Sequence, residues 1–263
     1  MSLFIVNTSS SSLRAKPAHE SEQTSRLLLG EVFQVKERSE DQRWALGQGP
    51  DGYQGWLRCW HLSKVKQWPA PECCVTRRWS QAYERPDAES QIVLDLSFAT
   101  GLKPSGREES GFIPWRMPSG RDVWTPAQDL VPYGGDVERL LTRALRLLEI
   151  PYEWGGRSSA GLDCSGFVQL LFSTLGRSLP RDAWQQAEHG HAISLSDTSL
   201  WQRGDLLFYG LERLEHVGLW MGDDKLLHAS GRVQVEDLAP AGELIGSDRP
   251  RLVALRRMEP SAK

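Results

Sequence analysis

At 263 residues the chain is long enough for two or three domains and too long for one small module. With 40% hydrophobic and 25% charged residues it has the balance of an ordinary soluble globular protein, and a net charge of −3 argues against a nucleic-acid binder, which would carry a basic face. No stretch approaches the roughly 20 apolar residues of a membrane span, and the run Leu3–Val6 is too short for the core of a secretory signal, so a cytoplasmic protein without membrane contact is expected.

The chain changes character near Tyr133. Before it, short apolar segments alternate with Gly, Pro, Ser and Asp clusters, the pattern of many short strands. A shift of 69 positions aligns Pro17 with Pro86, Ser21 with Ser90, Leu27 with Leu96, Leu29 with Phe98 and Phe33 with Leu102; a shift of 68 aligns Trp56 with Trp124. This predicts two repeats over 1–66 and 67–132, each the size of one small β-barrel, joined near Trp68, Pro69, Ala70 and Pro71. Eleven Trp suit aromatic-rich β-modules or a groove. Cys59, Cys73, Cys74 and Cys164 lack the spacing of a disulfide framework, and Cys73 and Cys74 read as buried small apolar residues.

From Asp136, a possible N-cap, residues Val137, Leu140, Leu141, Ala144, Leu145 and Leu148 follow helical spacing until Pro151 stops them. Gly155, Gly156 and Gly161 make a loop. A second helix begins near Cys164 and runs through Phe167, Leu170, Leu171 and Leu175 to Gly176. Strand-like runs follow at 205–209, 216–221, 225–229, 232–235 and 252–256, so residues 133–263 are expected to form an α+β domain.

Cys164 falls where the N–H groups and dipole of a helix start favour a thiolate, the nucleophilic form. Gly161 and Gly166 leave the backbone there open to a ligand. A nucleophilic cysteine needs an imidazole to take its proton and a third group to orient that imidazole. If Gly222, Asp223 and Asp224 form a three-residue hairpin loop, His216 and His228 share one face of the sheet, and His228 can hold the tautomer of His216. His19, His61, His189 and His191 read as surface or loop residues. Two other uses of the trio stay open: a zinc site, which normally brings closer ligand pairs or an acidic ligand, and a dead enzyme kept as a binding module.

Through Tyr152-x-Trp154-Gly155-Gly156, Asp163-Cys164-Ser165-Gly166-Phe167, Gly204-Asp205-Leu206, His216-Val217-Gly218 and His228-Ala229-Ser230, residues 133–263 resemble the NlpC/P60 cysteine peptidases. The resemblance implies a papain-like catalytic domain with Cys164, His216 and His228 as its triad and neither metal nor cofactor. Ser21-Glu22-Gln23, Leu27-Leu28-Leu29-Gly30-Glu31 and Asp51-Gly52-Tyr53-Gln54-Gly55-Trp56 resemble the bacterial SH3-like domain of dipeptidyl-peptidase VI-type members. Two small SH3-like β-barrels are thus expected ahead of the catalytic domain, the second a looser match and a spacer. Members of this type are γ-D-glutamyl-L-diamino acid peptidases that require a free N-terminal L-Ala. By resemblance, Glu22, Tyr53 and Asp182 contact the substrate amine, Tyr152 and Ser165 line the site, and Asp163 stands beside the nucleophile. Ala183 departs from the Ser of many relatives and removes one hydrogen bond. The expected partner is a small murein peptide, met by a monomer in wall-peptide recycling. A wall-binding protein and an exported hydrolase of the intact sacculus are the competing readings.

Overall fold

The computed structural model describes residues 3–246 and 250–258. The chain divides into two compact units between Tyr133 and Gly134.

The first unit holds both repeats. Residues 3–65 form a seven-stranded antiparallel sheet in the order Gln23–Leu28, Ser10–Arg14, Gln54–Arg58, Trp44–Gln48, Val32–Arg38, Leu3–Val6, Leu62–Val65. Alternate side chains turn inward, and Val6, Leu13, Leu27, Phe33, Ala45 and Leu57 meet as a core. From residue 73 the same order returns: Ile92–Ser97, Trp79–Tyr83, Asp122–Pro126, Phe112–Arg116, then Gly101–Leu102, Cys73–Val75, Leu130–Pro132. A 3-10 turn precedes the last strand each time, Cys59–His61 and then Ala127–Asp129.

The repeats differ by one break. In the first, Val35 pairs with Gly47 inside a ladder. In the second, the equivalent contact is the lone bridge Pro104–Trp115, and the sheet splits there into four strands and three. Pro104 has no N–H to give a ladder. The two repeats are packed together, because Leu29 of the first joins Cys73, Val75, Ala82, Leu96, Leu102, Trp115 and Val123 of the second in one cluster. Cys73 and Cys74 are buried thiols without a disulfide, and burial pushes Cys73 up to about 11.

The second unit is α+β. Helix α1 (Val137–Leu145) begins where the Asp136 side chain accepts the Arg139 N–H at 2.9 Å. It ends short of Leu148, and the chain passes through Glu149 at φ +67° before Pro151. Helix α2 (Cys164–Ser173) is buried from Cys164 through Phe172, and a four-residue helix, α3 (Ala183–Gln186), follows. The antiparallel sheet has the order His191–Ala192, Arg251–Arg257, Leu206–Gly210, Leu214–Gly222, Lys225–Ser230, Arg232–Ala239, Glu243–Leu244. A helix apolar all round must be enclosed on every side; α2 lies against α1, α3 and the central strands that carry His216 and His228. Among the described residues no helix is long and apolar enough to cross a membrane.

Candidate active site

The start of α2 fixes Cys164. The Asp163 carboxylate accepts the Gly166 N–H at 2.7 Å, capping the helix, and the Gly155 N–H at 2.9 Å. Arg181 grips the same carboxylate with two N–H groups at 3.0 and 2.5 Å and donates a third hydrogen bond to Ser165 Oγ at 2.9 Å. Arg181 is only 2% exposed, so this is a buried, bidentate ion pair beside the nucleophile. Gly166 permits the arrangement: a Cβ there would lie 2.1 Å from the Gly156 carbonyl oxygen. Sequence reasoning missed Arg181, which lies 18 residues from its partner in a stretch without periodicity.

The strand Leu214–Gly222 runs past the thiol. The Glu215 carbonyl oxygen lies 3.9 Å from Cys164 Sγ, and the Val217 N–H donates to the sulfur. The two groups of this strand that touch the sulfur thus flank His216. The helix start is not the sole influence on the thiol. Burial first, and the Asp163 charge second, push Cys164 up to about 11, against the Val217 and Ser165 N–H groups and the Arg181 charge. The helix start is thus opposed by desolvation, and a base beside the sulfur would help to form the thiolate.

His216 Nε2 and His228 Nδ1 are 2.8 Å apart, with ring planes at 80°. The loop between their strands has two residues rather than three. Gly222 pairs with Lys225, and Asp223 and Asp224 both have φ +51°, as a type I′ turn requires. That turn alone would send the histidines to opposite faces. A bulge between Trp220 and Gly222 absorbs one residue, so Gly218 pairs with His228 and both rings share a face. Gly218 keeps the space open, since a Cβ there would come within 2.9 Å of His228 Cβ.

Tyr152 is half-buried; burial first, then the charges of Cys164 and Asp163, push its hydroxyl above the usual range. Ser165 is buried on Arg181. Asp182 precedes α3, and its N–H donates to Gln185 Oε1 at 3.3 Å. The second unit therefore holds Cys164, His216, His228, Tyr152, Asp163, Ser165 and Asp182. Glu22 and Tyr53 belong to the first unit, at one end of its sheet, because Arg14 pairs with both Gln23 and Trp56. Glu22 is exposed, whereas Tyr53 packs on the core of the first repeat. Of the other histidines, His61 is half-buried and 2.7 Å from Ser11 Oγ, more than a surface residue. Among the described residues no group of His, Cys, Asp and Glu has the geometry of a metal site.

Residues 149–243 match the NlpC/P60 family, and residues 13–62 match the bacterial dipeptidyl-peptidase SH3 domain. A γ-D-glutamyl-L-lysine dipeptidyl-peptidase of Bacillus subtilis is 34% identical over 187 residues, covering 68% of this chain and 61% of that protein. One of the same name from Bacillus cereus is 26% identical over 234 residues, covering 81% of this chain and 69% of that protein. The chain thus spans about two thirds of the length of these curated relatives. The crystal structure of an NlpC/P60 family protein from Bacillus cereus has the same fold, with a TM-score of 0.85 at 20% identity over 98% of this chain and 100% of that one. A helix-start cysteine touched by the backbone on either side of His216, the His216–His228 pair and the matches on both units lead to one conclusion: the chain carries an NlpC/P60 domain behind a bacterial dipeptidyl-peptidase SH3 domain and belongs to the NlpC/P60 cysteine peptidase family.

Proposed function

We propose that the chain hydrolyses the bond between γ-D-Glu and the diamino acid of free murein peptides that begin with L-Ala, the diamino acid being diaminopimelate or lysine, as a cytoplasmic step of wall-peptide recycling. The observation that supports this reading best is the His216–His228 pair, with His216 on the strand that touches the Cys164 sulfur and His228 on the strand beside it. The names of the two Bacillus relatives support the choice of bond.

Starting from the thiol, the first step is proton transfer. His216 has its Nε2 turned to His228, so Nδ1 takes the thiol proton. The sulfur attacks the γ-glutamyl carbonyl and forms a carbon–sulfur bond. His216 returns the proton to the departing amine as the carbon–nitrogen bond breaks. A water, deprotonated by His216, then splits the thioester and regenerates the thiol. Glu22, Tyr53 and Asp182 are proposed to recognise the L-Ala ammonium, a charge that needs carboxylates to offset its desolvation. Tyr152, Asp163 and Ser165 are proposed to border the scissile bond.

The test is incubation of the protein with L-Ala-γ-D-Glu-meso-diaminopimelate, its lysine counterpart and purified sacculi, with products read by mass. Release of L-Ala-D-Glu from the short peptides supports the reading. Solubilisation of sacculi with no cleavage of the short peptides would replace it with an exported wall hydrolase.

A further inference from the structure

His216 and His228 are not the end of the chain of polar contacts. His228 is 1% exposed, and on its far side Nε2 lies 3.0 Å from Glu236 Oε2, off the line of the ring N–H. The sheet enforces this. His228 pairs with Gln234 in the strand Arg232–Ala239, so Glu236, two residues on, stands on the same face and diagonal to it. The Glu236 side chain is 22% exposed. A carboxylate this close to a buried imidazole attracts the proton to the nearer nitrogen.

We propose that Glu236 is a positioning residue of this site, which acts through His228 to set the tautomer of His216. This rests on the peptidase reading above. The logic runs nitrogen by nitrogen. Glu236 keeps the proton of His228 on Nε2, so His228 Nδ1 carries a lone pair. That lone pair accepts the His216 Nε2–H at 2.8 Å. Neutral His216 then has its own lone pair on Nδ1, the nitrogen that takes the Cys164 proton. Once His216 is charged, Glu236 offsets the charge through one intervening ring. Among the described residues, Tyr209 on the neighbouring strand has its ring centre 6.2 Å from that of His216, and Cys164 on α2 touches the backbone on either side of His216. Tyr209 also feels the charges of Glu243 and Glu236.

Two measurements test this, one of them independent of substrate. In protein labelled with 15N at histidine, long-range proton–nitrogen correlations at neutral pH should show His228 and His216 both protonated on Nε2; protonation of neutral His228 on Nδ1 overturns the proposal. The second follows the pH dependence of Cys164 alkylation by iodoacetamide and of kcat/KM on L-Ala-γ-D-Glu-diaminopimelate, for wild type, Glu236→Gln and Glu236→Asp. Loss of a carboxylate that touches a catalytic histidine directly costs about 10⁴-fold; one ring further away, Glu236→Gln should cost about tenfold to a hundredfold. Its acid limb should move down by roughly one pH unit. Glu236→Asp should recover part of the loss. Glu236→Gln within twofold of wild type, with an unmoved acid limb, overturns the proposal. If Glu236→Gln does not fold, the wild-type tautomers and Glu236→Asp decide. If wild type leaves the peptide uncut, the substrate reading fails, while alkylation and tautomers still judge Glu236.

Discussion

Cys164 is where the local chemistry and the global packing disagree. A helix start favours the thiolate, yet burial and the adjacent Asp163 carboxylate push the group up to about 11. The sign follows: with the group pushed up, the thiolate fraction grows with pH across the neutral range. Alkylation of Cys164 by iodoacetamide in the substrate-free protein should therefore rise across the whole neutral range. A plateau already below pH 7 would mean that His216 holds the proton before substrate arrives. Cys164→Ala should fold normally and lose turnover by about 10⁴-fold or more. His216 and His228 should differ in rank, because a base moves a proton every turnover and an orienter only sets its geometry. His216→Ala should be nearly inactive, whereas His228→Asn should keep measurable activity, since an amide can still hydrogen-bond His216. A kinetic comparison with the opposite ranking would exchange their roles. Both histidines were legible in the sequence because each sits in a short motif on a strand-like run. Arg181 and Glu236 were not: each acts on a partner through the fold, and only the register His228–Gln234 puts Glu236 near His228.

Among the elements, α2 and the histidine hairpin carry the geometry. The Asp163–Arg181 pair is buried on both sides, at 8% and 2% side-chain exposure. Removing one charge of such a pair strands the other, at about 3–5 kcal/mol. Asp163→Asn, which still can cap α2, should therefore lower the Tm sharply, and equilibrium unfolding should return a loss of that size; a loss below about 1 kcal/mol would show water reaching Arg181. The hairpin gives the opposite sign. Asp223 and Asp224 each occupy the left-handed region, which suits Asn and Gly better. Asp223→Asn with Asp224→Gly should raise stability by about 1 kcal/mol and leave kcat/KM unchanged. No gain would argue against a two-residue turn. The long elements of this unit were readable within about three residues at their ends, except the run 232–235, whose strand continues to Ala239. The strands His191–Ala192 and Glu243–Leu244, and the four-residue α3, were not, because two to four residues hold less than one period of any pattern. The loop length was misread for a physical reason: a three-residue loop and a two-residue loop with a bulge give the same facing of the histidines.

At the scale of the whole chain, half of the length goes to two repeats whose strands recur at 69 and then 68 positions, and Leu29 ties them into one packed unit. The repeat was visible in the sequence because turns and inward residues recur at fixed spacing; the split at Pro104 was not, because the proline acts through a strand that comes later in the chain. What that unit contributes to activity can be measured through the substrate's amine. Glu22, Tyr53 and Asp182 are proposed to surround the L-Ala ammonium. Acetylating that amine removes its charge and adds bulk, and losing a charged hydrogen bond to carboxylates that are not fully buried costs about 1.5–3 kcal/mol. At about 1.4 kcal/mol per tenfold, kcat/KM should fall at least about tenfold. The charge must also be felt by its partners: Glu22→Gln and Asp182→Asn should each harm the free-amine peptide far more than the acetylated one. The measurement is kcat/KM for L-Ala-γ-D-Glu-diaminopimelate and its N-acetyl form, on wild type and both variants. Equal cleavage of the two peptides by wild type would leave Glu22 a solvated loop acid and Tyr53 a core aromatic, and would make the intact sacculus the better substrate.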